Sequence, residues 1–169
     1  MVEIYPYLQF GELYRFTTFQ DVAVTVHLSK DPRWFPNNPE IEKVYSFLIE
    51  TDKPSMGQDI RLRNTVLDIL ANFLAENDAI IIYYCDPHDG KGHKRHAKFN
   101  RWFSLIHDLS IEKHDRQVMV KDLKIDENGN LLRSELTVYA SILLRKSHLD
   151  YEPAINLFHS GDLDKTDKL

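Results

Sequence analysis

Apolar and polar positions alternate over residues 13–18 and again over 22–29, with a short Phe19-Gln20-Asp21 connection between the two runs. A period of two puts every second side chain on one face of a strand, so the two runs predict a β-hairpin. In the second run Val22, Val24 and Val26 form the more apolar face against Ala23, Thr25 and His27. A proline-punctuated stretch over 31–39 follows, and its two large aromatics, Trp34 and Phe35, are expected to tuck onto the core. Residues 44–50 read as a third strand. The period then changes. Over 59–76, Ile60, Val66, Leu67, Leu70, Phe73 and Leu74 recur at three- and four-residue spacing, which predicts an amphipathic helix.

Asn77-Asp78 ends that helix, and residues 79–85 form a continuous β-branched and aromatic run, the pattern of a strand covered on both faces. A second helix is expected over 92–107, and long strands over 111–120 and 135–145. The Asn128-Gly129 pair between those strands favours a tight reversal, because both residues tolerate positive φ. Asp150 can cap a short last helix through Phe158, with Pro153 allowed in its first turn. The expected order is β-β-β-α-β-α-β-β-α. It describes an α+β fold with a single mixed, mostly antiparallel sheet and helices packed on it. Residues 1–160 read as one domain, and 161–169 as a frayed polar tail.

Composition narrows this only a little. The 169 residues are 43% hydrophobic, with nine Phe, eight Tyr and two Trp, enough to fill the core of one domain. A formal charge of −5 argues against a polybasic coat for nucleic acid or membrane, although a local basic patch remains compatible with it. Cys85 is the single cysteine, so no internal disulfide forms. With no export signal at the N-terminus, the expectation is a cytoplasmic protein. The longest apolar runs fall far short of the roughly 20 residues of a spanning helix, so no membrane association is expected.

Chemistry concentrates in residues 85–103, Cys85-Asp86-Pro87-His88-Asp89-Gly90-Lys91-Gly92-His93-Lys94-Arg95-His96-Ala97-Lys98-Phe99-Asn100-Arg101-Trp102-Phe103. Asp86 ends a buried strand, where ligands dock in open α/β sheets. Asp89 is placed to accept first-turn amides as an N-cap. Gly90 and Gly92 leave the backbone accessible. Lys91, Lys94, Lys98 and Arg101 fall on one helical stripe, whereas Phe99, Trp102, Phe103 and Ile106 face elsewhere as core anchors. With Arg95, the interval 91–101 carries five cations and no acid; removing them from −5 leaves the remainder at −10. That contrast points to an anionic partner, a phosphate-containing ligand or an acidic protein. A solvated lysine face and a simple Asp-Pro-x-Asp-Gly turn would explain the same residues without any ligand.

The pattern Cys85-Asp86-x-x-Asp89-Gly90, a basic helix start, then Phe99-x-Arg101-Trp102-Phe103 resembles an uncharacterised bacterial family common in Bacteroidetes. Tyr139-Ala140-Ser141 and Asp150-Tyr151-Glu152 fit the same resemblance, which implies no activity. The element order is also similar to the core of the GCN5-related N-acetyltransferases. That similarity implies a glycine-rich loop holding the pyrophosphate of acyl-coenzyme A, which falls here on residues 55–60, Ser55-Met56-Gly57-Gln58-Asp59-Ile60. It also implies a V-shaped opening beside Glu50 and the start of the 59–76 helix, with Asp86 or Glu50 as general base. One glycine stands where that family has two closely spaced, and Asp59 brings negative charge to the phosphate position, so no binding of acetyl-coenzyme A is expected.

Three functions follow as expectations. The first is a binding or regulatory module with an anion site built from Asp86, Asp89, Gly90, Lys91, Lys94, Lys98 and Arg101. The second is the acyltransferase-like enzyme. The third is a phosphodiesterase using Asp86 and Asp89 on Mg²⁺. Cys85, Asp86, His88, Asp89, His93 and His96 carry metal-ligand atoms, but adjacent strand residues point to opposite faces, and His93 and His96 lack the i, i+4 zinc spacing; no metal site is assigned. Cys85 is also weighed as a nucleophile, its thiolate favoured by nearby cations. The sequence identifies no resident cofactor and no oligomeric state.

Overall fold

A computed structural model describes residues 2–54 and 57–160; the Ser55-Met56 part of the glycine-bearing loop and the expected tail at 161–169 lie outside the described residues. The chain runs β1 (Leu8–Phe10), β2 (Leu13–Thr17), β3 (Ala23–Lys30), β4 (Val44–Thr51), α1 (Ile60–Asn77), β5 (Ile80–Cys85), α2 (Gly92–Phe103), β6 (Ile111–Ile125), β7 (Leu131–Arg145) and α3 (Tyr151–Ser160). The strands form one sheet in the order β1-β2-β3-β4-β5-β7-β6. Only β4 and β5 pair in parallel, because α1 carries the chain back across the sheet between them; the other neighbours are antiparallel. The α+β class and the mixed sheet are those expected from the pattern.

β5 shows why a continuous apolar run needs two covers. Ile80, Ile81 and Ile82 are all fully buried. Ile81, Tyr83 and Cys85 face α1 and its Val66, Ile69 and Leu70; Ile80 and Ile82 face Trp34, Phe35 and the Ala154 and Phe158 of α3. Each such side chain stabilises the fold by about 1.5–3 kcal/mol on burial. The 31–39 loop does tuck inward: Trp34 donates its indole N–H to Ser46 Oγ at 2.8 Å, and Ser46 donates onward to Asp31 Oδ2 at 2.7 Å. α1 starts where Asp59 accepts the Leu62 amide at 2.8 Å and stops where Asp78 turns left-handed.

Four features depart from the expectation. β1 adds a three-residue strand, too short to show any period. α2 ends at Phe103 rather than 107, because Leu105 and Ile106 donate to the carbonyls three residues back and tighten the chain out of α geometry. Phe99, Trp102 and Phe103 pack on the core but stay half-buried. β6 and β7 are each 15 residues long and register without a break from Ile111↔Arg145 to Ile125↔Leu131, well past the expected 120 and 135. Asp126 closes that hairpin by accepting the amides of Asn128 and Asn130. Among the described residues no helix is long and apolar enough to cross a membrane.

Candidate anion-binding site

The turn after β5 is held by its own side chains. Asp86 accepts the His88 amide at 2.9 Å and the His88 Nδ1 at 2.7 Å. The backbone bond and then the imidazole hold its carboxyl below the ordinary range. Asp89 does not cap α2 as expected; Lys91 occupies the cap position without a side-chain bond. Asp89 instead accepts the Lys91 amide at 3.0 Å and both terminal nitrogens of Arg95, one of them at 2.8 Å. That fork pulls its carboxyl down to about 2. Arg95 also donates to the Asp86 carbonyl at 3.1 Å, so one guanidinium ties strand end, turn and helix together.

Two glycines are required here. Gly90 sits at φ 70, and a Cβ on Gly92 would meet the carbonyl oxygens of Asp86 and Cys85 at 3.1 and 3.2 Å. Gly92 therefore lets the helix begin directly against the strand end.

Among the described residues no three His, Cys, Asp or Glu side chains gather as a metal site. His96 turns inward and stacks on Tyr139 with ring centroids 4.9 Å apart. Cys85 is buried, and burial pushes its thiol up to about 11 despite Arg95 and Lys113 nearby, so the thiolate that a nucleophile needs is disfavoured.

An opening of about 810 Å³ lies between β4 and β5. It exists because the two strands register only at Val44↔Ile80, Tyr45↔Ile81 and Ser46↔Ile82 before the registered pairing ends. Its walls include Trp34, Phe47, Tyr83 and Phe99, with Asp86 and Arg95 at one side. Glu50 is not among its lining residues; its exposed carboxylate meets His27 Nε2 at 2.9 Å.

The other four cations of the segment behave differently. Lys91, Lys94 and Arg101 are exposed, Lys98 reaches solvent with its stem partly covered, and among the described residues none of them is ion-paired. Lys98 and Arg101 converge with Arg63 of α1 on a cleft of about 380 Å³, floored by Trp102 and Leu105 and closed by residues 57–60. Lys91 and Lys94 lie outside this cleft. Lys98 Nζ stands 4.9 Å from the Trp102 ring centroid, and partial burial, then the neighbouring Arg101, lowers its pKa. Arg63 donates from Nη2 and Nε to the neutral Asn64 Oδ1 at 3.0 and 3.2 Å, and among the described residues it is not ion-paired. Arg63 was not among the expected site residues, because nothing in the sequence pairs the first turn of α1 with the last turn of α2. Asp59 is the one acid on the rim, and its carboxylate is engaged by the Leu62 amide and by Tyr5 Oη at 3.0 Å.

Sequence reasoning also missed a polar cluster beneath α2. Asp115 pairs with Lys113 and accepts from Ser141 Oγ at 2.7 Å, while Lys113 donates to Asn100. Burial pushes the Asp115 carboxyl up, yet Lys113 and Ser141 outweigh it and the result lies below the ordinary range. The members come from α2, β6 and β7, and only alternation on the β strands could have hinted at them.

The family model for a family of unknown function, DUF6169, matches residues 58–160. The chain belongs to the DUF6169 family. The DUF6169 match spans both walls of the α1/α2 cleft, and the turn from Asp86 to Arg95 lies inside it as well. No curated protein and no solved structure matches the chain.

Proposed function

We propose that the domain is a binding module for a phosphate-bearing ligand, seated in the cleft between the start of α1 and the end of α2. The observation that carries this reading is the convergence of Arg63, Lys98 and Arg101 without a carboxylate partner, on a chain whose net charge is −5. Like charges held together and partly desolvated cost free energy, and a bound anion would relieve that cost. Trp102, Leu105 and Ile60 beside the cations suit the apolar part of a nucleotide-like molecule. Asp86, Asp89, Gly90 and Lys91 then belong to the turn that sets the helix rather than to the ligand shell, and Lys94 adds long-range attraction.

Calorimetry with inorganic pyrophosphate and with nucleoside diphosphates at low salt tests this. Binding that weakens with salt and is lost in Lys98→Glu/Arg101→Glu supports the reading; affinity unchanged by that double reversal contradicts it.

The opening between β4 and β5 favours a second reading, acyl-coenzyme A dependent transfer. Against it, that reading needs the free first-turn amides of α1 for a pyrophosphate, and Asp59 already accepts the Leu62 amide, whereas the proposed cleft relies on side-chain cations. Acetyl-coenzyme A at millimolar concentration is expected to give no heat; saturable heat would revive this reading.

A further inference from the structure

β6 is one edge of the sheet (the three-residue β1 is the other), 15 residues long, and among the described residues no strand covers its outer side. Edges of this length are normally blunted or paired, because their free N–H and C=O groups template another strand. Its distal half also leaves Met119, Leu123 and Ile125 exposed, at 56%, 60% and 74%, on one face of a two-stranded ribbon, with Leu131 beside Ile125 across the hairpin. A two-stranded ribbon by itself is marginal in water.

We propose that this edge pairs antiparallel with the same edge of a second copy of the chain, about a two-fold axis at Val118. The argument is the charge order of the strand, Ile111-Glu-Lys-His-Asp-Arg-Gln-Val118-Met-Val-Lys-Asp-Leu-Lys-Ile125. With Val118 opposite itself, each residue before it meets the residue equally far after it. Glu112 then faces Lys124 of the second copy, Asp115 faces Lys121, His114 faces Asp122, and Ile111 faces Ile125. The two-fold axis repeats every pair. No like charges meet.

Neighbouring registers lose this match. A centre at Gln117 sets Glu112 against Asp122 and Lys113 against Lys121. A centre at Met119 gains Arg116 against Asp122 but sets Glu112 against Asp126 and leaves Asp115 and Lys121 opposite Leu123 and Gln117. Opposite charges directly across an antiparallel pair stabilise it, and like charges there destabilise it, so one register is selected.

The faces agree as well. Odd-numbered β6 residues share the α1/α2 side of the sheet, as Ile111 does, and even-numbered ones share the α3 side, as Glu112 does through Tyr151 Oη. A two-fold axis perpendicular to the sheet keeps each side with its like. The exposed Met119, Leu123 and Ile125 would then lie against Gln117, the Lys113 stem and Ile111 of the second copy. Glu112 and Asp115 already bond Lys146 and Lys113, and a carboxylate has lone pairs for a further partner. A partner of different sequence would not need this strand to complement itself.

Sedimentation velocity on the full chain tests the proposal. The wild type is expected to run at twice its 19.9 kDa at micromolar concentration. Lys121→Glu/Lys124→Glu changes two exposed side chains and should weaken association by on the order of a hundredfold or more, with an unchanged circular dichroism spectrum. Mixing it with Glu112→Lys/Asp115→Lys should restore the dimer, since every reversed charge then meets its opposite. Should the second variant fail to fold, oxidising a mixture of Gln117→Cys and Met119→Cys chains should link the two opposed positions. A monomeric wild type at 100 µM, or a dimer that neither feels the reversal nor forms that link, overturns the proposal.

Discussion

Arg95 and Arg101 stand six residues apart on α2, yet they do opposite things. Arg95 is engaged: it grips both oxygens of Asp89 and the Asp86 carbonyl, and Gly92 allows the close approach of the turn beside it. Arg101, with Lys98 and Arg63, has no ion-pair partner among the described residues and lines a cleft. A charge that its own fold neutralises is explained by folding alone. A cluster that the fold leaves unpaired among the described residues is where the proposed anion reading rests.

The comparison can be broken most forcefully on the turn. Gly92→Val would press side-chain carbon against three backbone atoms and is expected to cost about 2–3 kcal/mol in urea unfolding. A wild-type midpoint would mean that the strand end and helix are not so tightly joined. Trp102→Ala comes next at about 2 kcal/mol, below the cost of a fully buried tryptophan because the ring is half-exposed.

Asp89→Asn has a smaller effect with a pH signature. Its folded pKa lies near 2, below the ordinary value near 4, so its contribution is complete above pH about 4 and fades as pH falls toward 2. Wild type and Asp89→Asn should therefore differ in melting temperature at pH 6 and converge near pH 2; parallel curves would exclude the Arg95 fork as the cause. Least of all, Lys98→Glu/Arg101→Glu should alter stability by only about 0.5 kcal/mol, since neither cation is ion-paired. A loss several times larger would make those cations structural and erase the contrast.

The difference between the two regions was only half legible in the sequence. The 79–85 run and the 59–76 period gave β5 and α1 nearly to the residue, because burial on two faces or one stripe writes itself into local spacing. The basic stripe was equally visible. What spacing could not show was which cations find acids: Arg95 meets Asp89 through a turn whose geometry depends on Gly90 and Gly92, and Arg63 arrives from another helix. Likewise spacing along the chain does not show that β3 brings His27 beside Glu50. The β6–β7 ladder runs past 120 because a solvent-facing ribbon accepts charges such as Lys121, Asp122 and Lys124, which local apolar alternation does not mark as strand.

Amide-resolved NMR titration with inorganic pyrophosphate at low salt tests the central claim most directly, since it reads both regions in one experiment. The account predicts saturable shifts at Arg63, Lys98, Arg101 and the Trp102 indole, with the Asp86–Arg95 turn nearly still. Shifts centred on Asp86 to Lys91, or no saturable shift anywhere, would contradict it.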